Sequence, residues 1–327
     1  MEILLTGGAG YIGSHVALSL IDQGHNLTII DNLSTGNKKI LPKNINFINC
    51  DVNDENKVST ILKNKTYDVL MHFAGFVVVE ESVQNPKKYF KNNTNNAIKL
   101  FEICYKNNLK NIVFSSTAAV YGNPKNNLKI TESENLKPIN PYGESKLKTE
   151  KYLLDNRNKY NSIILRYFNV AGADINQRTG LISKNATHLI KILSEVAVGK
   201  REKIQIFGND YNTPDGTAIR DYIHVSDLSD IHVEVAKLLN EKKISHIFNC
   251  GYGIGYSVKE VIDKANEITN GSIKYEFINR RSGDPEKLVS NVDKIHKFIN
   301  WKPKYNNLST IIKSSIDWEK KINEENL

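Results

Sequence analysis

The stretch "EILLTGGAGYIGSH", residues 2–15, decides the fold. Ile3, Leu4 and Leu5 make an unbroken apolar run of the kind found in strands buried on both faces. Gly7, Gly10 and Gly13 follow as G-x-x-G-x-x-G, and Gly8, Gly10 and Gly13 also satisfy G-x-G-x-x-G. Bare backbone is needed there so that a pyrophosphate can approach the N–H groups of Tyr11, Ile12 and Gly13 at the start of the next helix. Asp31 stands 18 residues past Gly13, at the end of a second apolar run. A carboxylate at that place accepts hydrogen bonds from a ribose 2′-OH and repels a 2′-phosphate, which selects NAD over NADP.

Working outward, residues 26–31, 45–50, 67–73, 111–116 and 162–168 repeat the apolar, β-branched character of the first run, with amphipathic segments between them. Six strands joined by helices predict an α/β fold with a doubly wound parallel sheet of the Rossmann kind, because parallel strands need crossovers. After about residue 170 the order changes to a polar loop over 172–185, a helix near 186–198, and short strands mixed with helices. This predicts an NAD-binding domain over 1–169 and a smaller α/β substrate-binding domain over 170–327, with some later segments returning to the first.

With 40% hydrophobic and 24% charged residues, the 327-residue chain has the balance of an ordinary globular protein. The net charge of +8 does not indicate a nucleic-acid partner: seven of 44 basic residues are arginine, and the lysines are scattered rather than clustered. Cys50, Cys104 and Cys250 are too few and too far apart for a disulfide framework, which points to a reducing cytoplasm. No run approaches the ~20 apolar residues of a membrane span, and no His, Cys or Asp cluster has metal-ligand spacing.

One further stretch carries chemistry. In "INPYGESKLKTE", residues 139–150, Asn140 suits an N-cap and Pro141 the first helical position. Tyr142 and Lys146 then lie one turn apart on the same helical face. The spacing permits a phenol activated by an ammonium, and it equally suits an exposed amphipathic tyrosine. Y-x-x-x-K occurs a second time at Tyr121 and Lys125, but Gly122 and Pro124 forbid a helix there.

Read in order, "TGGAGYIG", "DNLS", "CDVND", "HFAG", "FSSTAAVYG", "PYGESK" and "LRYFNVAG" resemble the extended short-chain dehydrogenase/reductase family. "IFGNDYNTPDGTAIRDYIHVSDL" and "RRSGDP" narrow the resemblance to the UDP-glucose 4-epimerase group within it. That resemblance implies a catalytic Tyr142 and Lys146 with the Thr117 hydroxyl beside them. Thr117 could also be a strand-end hydroxyl satisfying backbone. The implied cofactor contacts are Asp31, Asn32, Asp51 and Val52 toward adenosine and Phe73, Ala74 and Gly75 along the dinucleotide. Asn92, Phe168 and Asn169 would flank nicotinamide and sugar. For the UDP-sugar, Arg220 and Arg281 would meet the diphosphate and Asp284 the uridine ribose, with His188 near UDP and Leu189 also in the substrate site. A guanidinium can hold phosphate oxygens bidentately, although either arginine alone is more often a surface ion pair. The implied cycle moves hydride from sugar C4 to bound NAD and returns it to the opposite face of the 4-keto sugar.

A phenol with an ordinary pKa of about 10 must fall by roughly 3 units to serve as a base, equivalent to about 4 kcal/mol. One positive charge about 5 Å away supplies roughly 3 kcal/mol at an effective dielectric of 20. Lys146 and the nicotinamide cation together are expected to suffice.

Relatives that are 4,6-dehydratases or decarboxylases carry carboxylates just after the strand-end threonine, where this chain has Ala118 and Ala119. A protein that binds NAD or a nucleotide sugar without turning it over is the other alternative. Three positions depart from the best-known epimerases: Val77 replaces a cofactor-side lysine, His188 an asparagine, and Leu288 a tyrosine that borders the sugar C2 substituent. The shorter leucine implies a pocket that also admits an N-acetyl group. Relatives pair helices like those expected at 86–107 and 141–155 to form homodimers; Ile98, Phe101 and Ile103 fit such a face and fit a core equally.

Overall fold

The computed structural model describes residues 1–124, 129–183, 186–281 and 284–325. Strands β1 (Glu2–Thr6), β2 (Asn26–Asp31), β3 (Asn46–Asn49), β4 (Val69–His72), β5 (Asn111–Thr117) and β6 (Asn161–Tyr167) occupy the six runs read from the sequence. They form one parallel sheet in the order β3-β2-β1-β4-β5-β6, extended at the far edge by a seventh strand, β10 (His246–Cys250). The order reverses between β1 and β4, and the crevice beyond their carboxyl ends is where such sheets bind ligands.

Alternate residues of each strand enter opposite cores, as a pleated strand requires. Ile3 and Leu5 pack with the helices Tyr11–Asp22 and Val225–Lys242, whereas Leu4 packs with Glu55–Asn64 and Ala97–Lys106. Each fully buried Leu or Ile of this kind contributes about 1.5–3 kcal/mol. Phe101 and Ile103 lie wholly inside the second core, so they do not form a dimer face; Ile98 is half-buried.

The remaining strands are β7 (Asn169–Ala171), β8 (Ile204–Phe207), β9 (Ile219–His224), β11 (Gly255–Ser257), β12 (Tyr275–Ile278) and β13 (Lys287–Leu288). β7, β9, β11 and β13 make a small mixed sheet, and β8 pairs with β12. A third core joins them to the helices Leu189–Ala197, Val258–Thr269 and Leu308–Glu325. Among the described residues, no helix is long and apolar enough to cross a membrane.

The helix expected over 86–107 is not uniform. Pro86–Tyr89 and Ala97–Lys106 are α-helical, and Phe90–Asn96 between them is a π-helix. Buried Asn93 explains the widened turn. Its side-chain nitrogen donates to the Phe76 carbonyl (2.9 Å), its side-chain oxygen accepts from the Phe76 N–H (2.9 Å), and its own carbonyl accepts from the Thr149 hydroxyl (2.8 Å). These bonds tie the turn to the Phe76 backbone and to Thr149.

Candidate active site

The glycine loop is shaped by close approach. A Cβ on Gly7, whose φ is +74°, would stand 2.4 Å from the Ala74 nitrogen, and one on Gly13 would stand 2.3 Å from the Gly7 carbonyl. Gly10 differs: a Cβ there would meet only the Gly7 carbonyl, at 3.2 Å, so its outer side is open. The Tyr11–Asp22 helix begins at Gly10 with no side-chain cap, which leaves the first N–H groups aimed at that opening. Donors, dipole and room coincide there, and the loop fits a pyrophosphate.

Beside it, Asp31 uses one carboxylate oxygen to accept from the Ala9 N–H (2.9 Å) and the other from Leu33 (2.8 Å). Each oxygen keeps a lone pair for a ribose hydroxyl. Asn32 donates to Asp51 (2.8 Å), and Val52 is buried beneath them. On the other side of the crevice, the Phe73 N–H donates to the Thr6 carbonyl (2.9 Å) and the Phe73 ring leans on His232 (4.9 Å). Gly75 is pinned: a Cβ there would lie 3.2 Å from Asn93 Oδ1 and 3.3 Å from Lys146 Nζ. Asn92 donates to the same Asn93 oxygen at 3.1 Å. The residues expected to face the cofactor, separated along the chain, are therefore one continuous wall ending at Lys146.

The helix Pro141–Asp155 starts as its sequence predicts, with Asn140 Oδ1 accepting from the Gly143 N–H (2.9 Å) and Pro141 in the first turn. Lys146 is almost fully buried; its Nζ donates to the Ser115 carbonyl (2.9 Å) and sits 5.0 Å from the Phe114 ring centre. Burial pulls its ammonium down to about 8, against an opposing pull from the Glu150 carboxylate. Thr117 hydrogen-bonds the Tyr142 hydroxyl, and Tyr89 meets the Tyr142 ring edge-on at 6.4 Å. The expected drop in the phenol's pKa is not present in the protein alone: burial raises it, and the Thr117 hydrogen bond lowers it by less. Tyr121 of the competing Y-x-x-x-K match is buried and donates to Asn249 (2.6 Å); Lys125 lies outside the described residues.

Among the residues expected to meet the substrate, β9 carries Arg220 beside Leu288 of β13 in parallel register. Arg220 Nη2 donates to Asp284 Oδ1 at 2.6 Å, and Nη1 to the Ile219 carbonyl at 2.8 Å. Arg281 stacks its guanidinium over Phe207, 3.7 Å from the ring centre; Ser282 and Gly283 of the same motif lie outside the described residues. Leu288 packs with Ala118, Leu147 and Phe168, which places it against the elements that carry Thr117 and Lys146. A small pocket brings Asn169, His188 and Leu189 together with Tyr11 and Tyr222. His188 occupies the N-cap of the Leu189–Ala197 helix without capping it. Val77 is exposed.

The match that decides the family covers residues 3–251, which fit the model of the "NAD dependent epimerase/dehydratase family". The chain belongs to that family. A UDP-glucose 4-epimerase of Azospirillum brasilense is 44% identical over 99% of this chain and 93% of its own length. The solved UDP-Glc/GlcNAc 4-epimerase of Campylobacter jejuni is 43% identical, with a TM-score of 0.84 over 98% of this chain and 99% of that one. A UDP-glucose 4-epimerase of Bifidobacterium longum, solved with NAD+ and UDP, is 35% identical with a TM-score of 0.92 over 98% of both chains.

As a member of this epimerase/dehydratase family the chain also shows what the sequence reading missed. Asn93 organises Gly75 and the π-helical turn, yet one asparagine among many carries no spacing signal. Phe207 beneath Arg281 ends an ordinary strand. Glu150 and Arg166 form a buried ion pair at 2.6 Å; Glu150 continues the Tyr142, Lys146 row by one more turn, a signal that was present.

Proposed function

We propose that this chain interconverts UDP-glucose and UDP-galactose as an NAD-dependent 4-epimerase, and that it acts on the corresponding N-acetylhexosamine pair. The observation that carries the proposal is the Thr117–Tyr142–Lys146 group standing at the end of the wall that the glycine loop begins. Bound NAD supplies the hydride acceptor and donor. The protein's part is proton handling and placement. Tyr142, as phenolate, removes the proton of the sugar 4-OH as the C4–H electron pair leaves as hydride; the 4-keto sugar turns over, and the proton returns to O4 as hydride returns to C4. Lys146 holds the phenolate's charge, and Thr117 steadies its oxygen. Asp31, Asn32, Asp51 and Val52 would seat the adenosine end, and Asn92, Phe168 and Asn169 would border nicotinamide and hexose. His188, Leu189, Arg220, Arg281 and Asp284 would hold UDP, with Leu288 at C2 of the sugar.

In this proposal residues 1–169 bind NAD and 170–327 bind the UDP-sugar, with 225–250 returning to the first unit, and the chain works as a cytoplasmic homodimer. Ala118 and Ala119 favour epimerisation over dehydration or decarboxylation, since methyl groups move no protons. The test is incubation of purified protein, first without added NAD, with UDP-galactose and UDP-N-acetylgalactosamine, and chromatography of the products. Conversion of both is expected. If UDP-galactose alone reacts, the wide pocket is wrong; if neither reacts after NAD is added, the epimerase assignment is wrong.

A further inference from the structure

Tyr142, Lys146 and Glu150 occupy successive turns of one helical face. β5 meets them with three consecutive residues. The Thr117 hydroxyl bonds Tyr142, the Ser115 carbonyl accepts from Lys146, and the Ser116 hydroxyl donates to Glu150. The first two rungs belong to the proton chemistry; the third touches neither substrate nor cofactor wall. It is nevertheless the most heavily bonded. Glu150 is completely buried, and Arg166, itself 1% exposed, donates to its carboxylate through Nε (3.1 Å) and Nη2 (2.6 Å). The other guanidinium nitrogen turns away, toward the Tyr121 hydroxyl (3.0 Å) and the Glu132 carbonyl (3.3 Å). The pair is thus an oriented dipole with its carboxylate on the row shared with Lys146. A buried ion pair is weak support for stability, since apolar residues of like volume often serve as well. Its orientation therefore asks for another use.

Resting on the epimerase reading, we propose that Glu150 is a positioning residue for the catalytic pair: fixed by Arg166 and Ser116, its carboxylate keeps Lys146 protonated and seated on Ser115 beside Tyr142. The groups facing Lys146 leave little else to do so. Its own helix supplies Tyr142 and Glu150. β4 supplies His72, which burial and the Lys146 charge push down to about 3, so it is neutral. β6 supplies Tyr167, a buried phenol held protonated, and Arg166, whose charge Glu150 takes up. The π-helical segment contributes the uncharged amide of Asn93. Burial and the nicotinamide cation both favour a neutral lysine, and Glu150 is the one carboxylate on the opposing side among these groups.

The experiment tracks Lys146 by NMR of [13C]lysine-labelled protein with saturating NAD, its resonance assigned by loss in Lys146→Arg. The pH profile of UDP-galactose epimerisation is measured alongside. Glu150→Gln leaves Arg166 unpaired, so the charge-neutral Glu150→Gln/Arg166→Gln is made with it. Both should titrate Lys146 at least about one pH unit lower than wild type. The alkaline limb of kcat should fall by the same amount, giving about a tenfold loss above it, with the UDP-galactose KM unchanged within about threefold. Glu150→Asp, which keeps both charges, should restore the wild-type limb. A folded double variant with the wild-type Lys146 titration overturns the proposal, as does an Asp variant that titrates like Gln. The titration needs no turnover: absent activity with the lysine shift intact would count against the epimerase reading and not against Glu150.

Discussion

The two sides of the crevice are built on different principles. On the side expected to take cofactor and proton, the groups around Lys146 are buried and already bonded to protein: Asn93 to Phe76 and Thr149, Lys146 to Ser115, Thr6 to His72 at 2.7 Å, Glu150 to Arg166. On the side expected to take the substrate, buried Arg220 pairs with a partly exposed carboxylate, and Arg281 is exposed. Asp284 is 30% exposed against Arg220, and Arg281 lies on Phe207. Bonds that bury both partners fix geometry before any ligand arrives, which proton and hydride transfer require because small displacements are expensive in rate. Pairs open to water can be exchanged for a ligand's own charges at little cost. One side is preorganised, and the other can be rearranged by what it binds.

The largest test of that contrast is Tyr142→Phe. Removing the proposed proton acceptor should lower kcat by about 10³-fold or more while UDP affinity measured by calorimetry stays within a few-fold. A variant keeping a tenth of the wild-type rate would show that the rigid side is not where the chemistry lies. Arg220→Ala should do the reverse, raising the UDP-sugar KM by about 10- to 100-fold, equivalent to roughly 1.5–3 kcal/mol, with kcat nearly unchanged. Should kcat drop as far as kcat/KM, the substrate side is as tightly coupled to the reaction as the other. Leu288→Tyr sharpens the contrast within the substrate side. It should remove about tenfold or more of the UDP-N-acetylgalactosamine rate and leave UDP-galactose within threefold; parallel loss of both would dismiss Leu288 as the wall at C2. The smallest effect concerns pH. Burial holds Lys146 at about 8, below the ordinary lysine value of about 10.4, so between these the unfolded chain binds a proton that the folded cofactor-free protein does not. The wild-type protein should therefore gain stability relative to Lys146→Met as pH rises from 8 toward 10 in urea titrations. A difference that is flat or shrinks would mean the ammonium is not desolvated.

What the sequence made legible divides along the same line. Gly7, Gly10, Gly13 and Asp31, and the Tyr142–Lys146 pair, work through local spacing, and spacing is what a linear string displays. The six strands of the first half were readable because each is buried on both faces and so unbroken in hydrophobicity. β10 escaped because its run, "HIFNC", begins with half-exposed residues and comes after 78 residues that separate it from β6, its partner in the sheet. The proposed substrate residues rest on resemblance to relatives alone, since Arg220 and Asp284 are 64 positions apart and nothing in either neighbourhood announces the other. Ile98, Phe101 and Ile103 were compatible with core or interface, and burial settled the last two as core. The phenol's expected acidity calls on the nicotinamide cation as well as Lys146, and burial works against it in the protein alone: a sequence shows which charges are near but not how much water has left, and at Tyr142 the lost water outweighs the hydrogen bond from Thr117.

The π-helical turn at Phe90–Asn96 bears on how this rod tolerates change in length. A turn of that width holds one residue more than an α-helix needs, and each residue in a helix rotates the remainder of the rod by about 100°. Deleting one residue there would let the rod close into a regular helix with Leu100, Phe101 and Cys104 still on the sheet, but Asn93 would let go of Phe76; a deletion elsewhere in the rod would swing them off it. The turn behaves as a spacer that lets the two ends of one helix obey different neighbours. Single-residue insertions or deletions in the α-helical part, 97–106, should be far more damaging than one deletion within 90–96, a pattern that a scan of length variants would read directly.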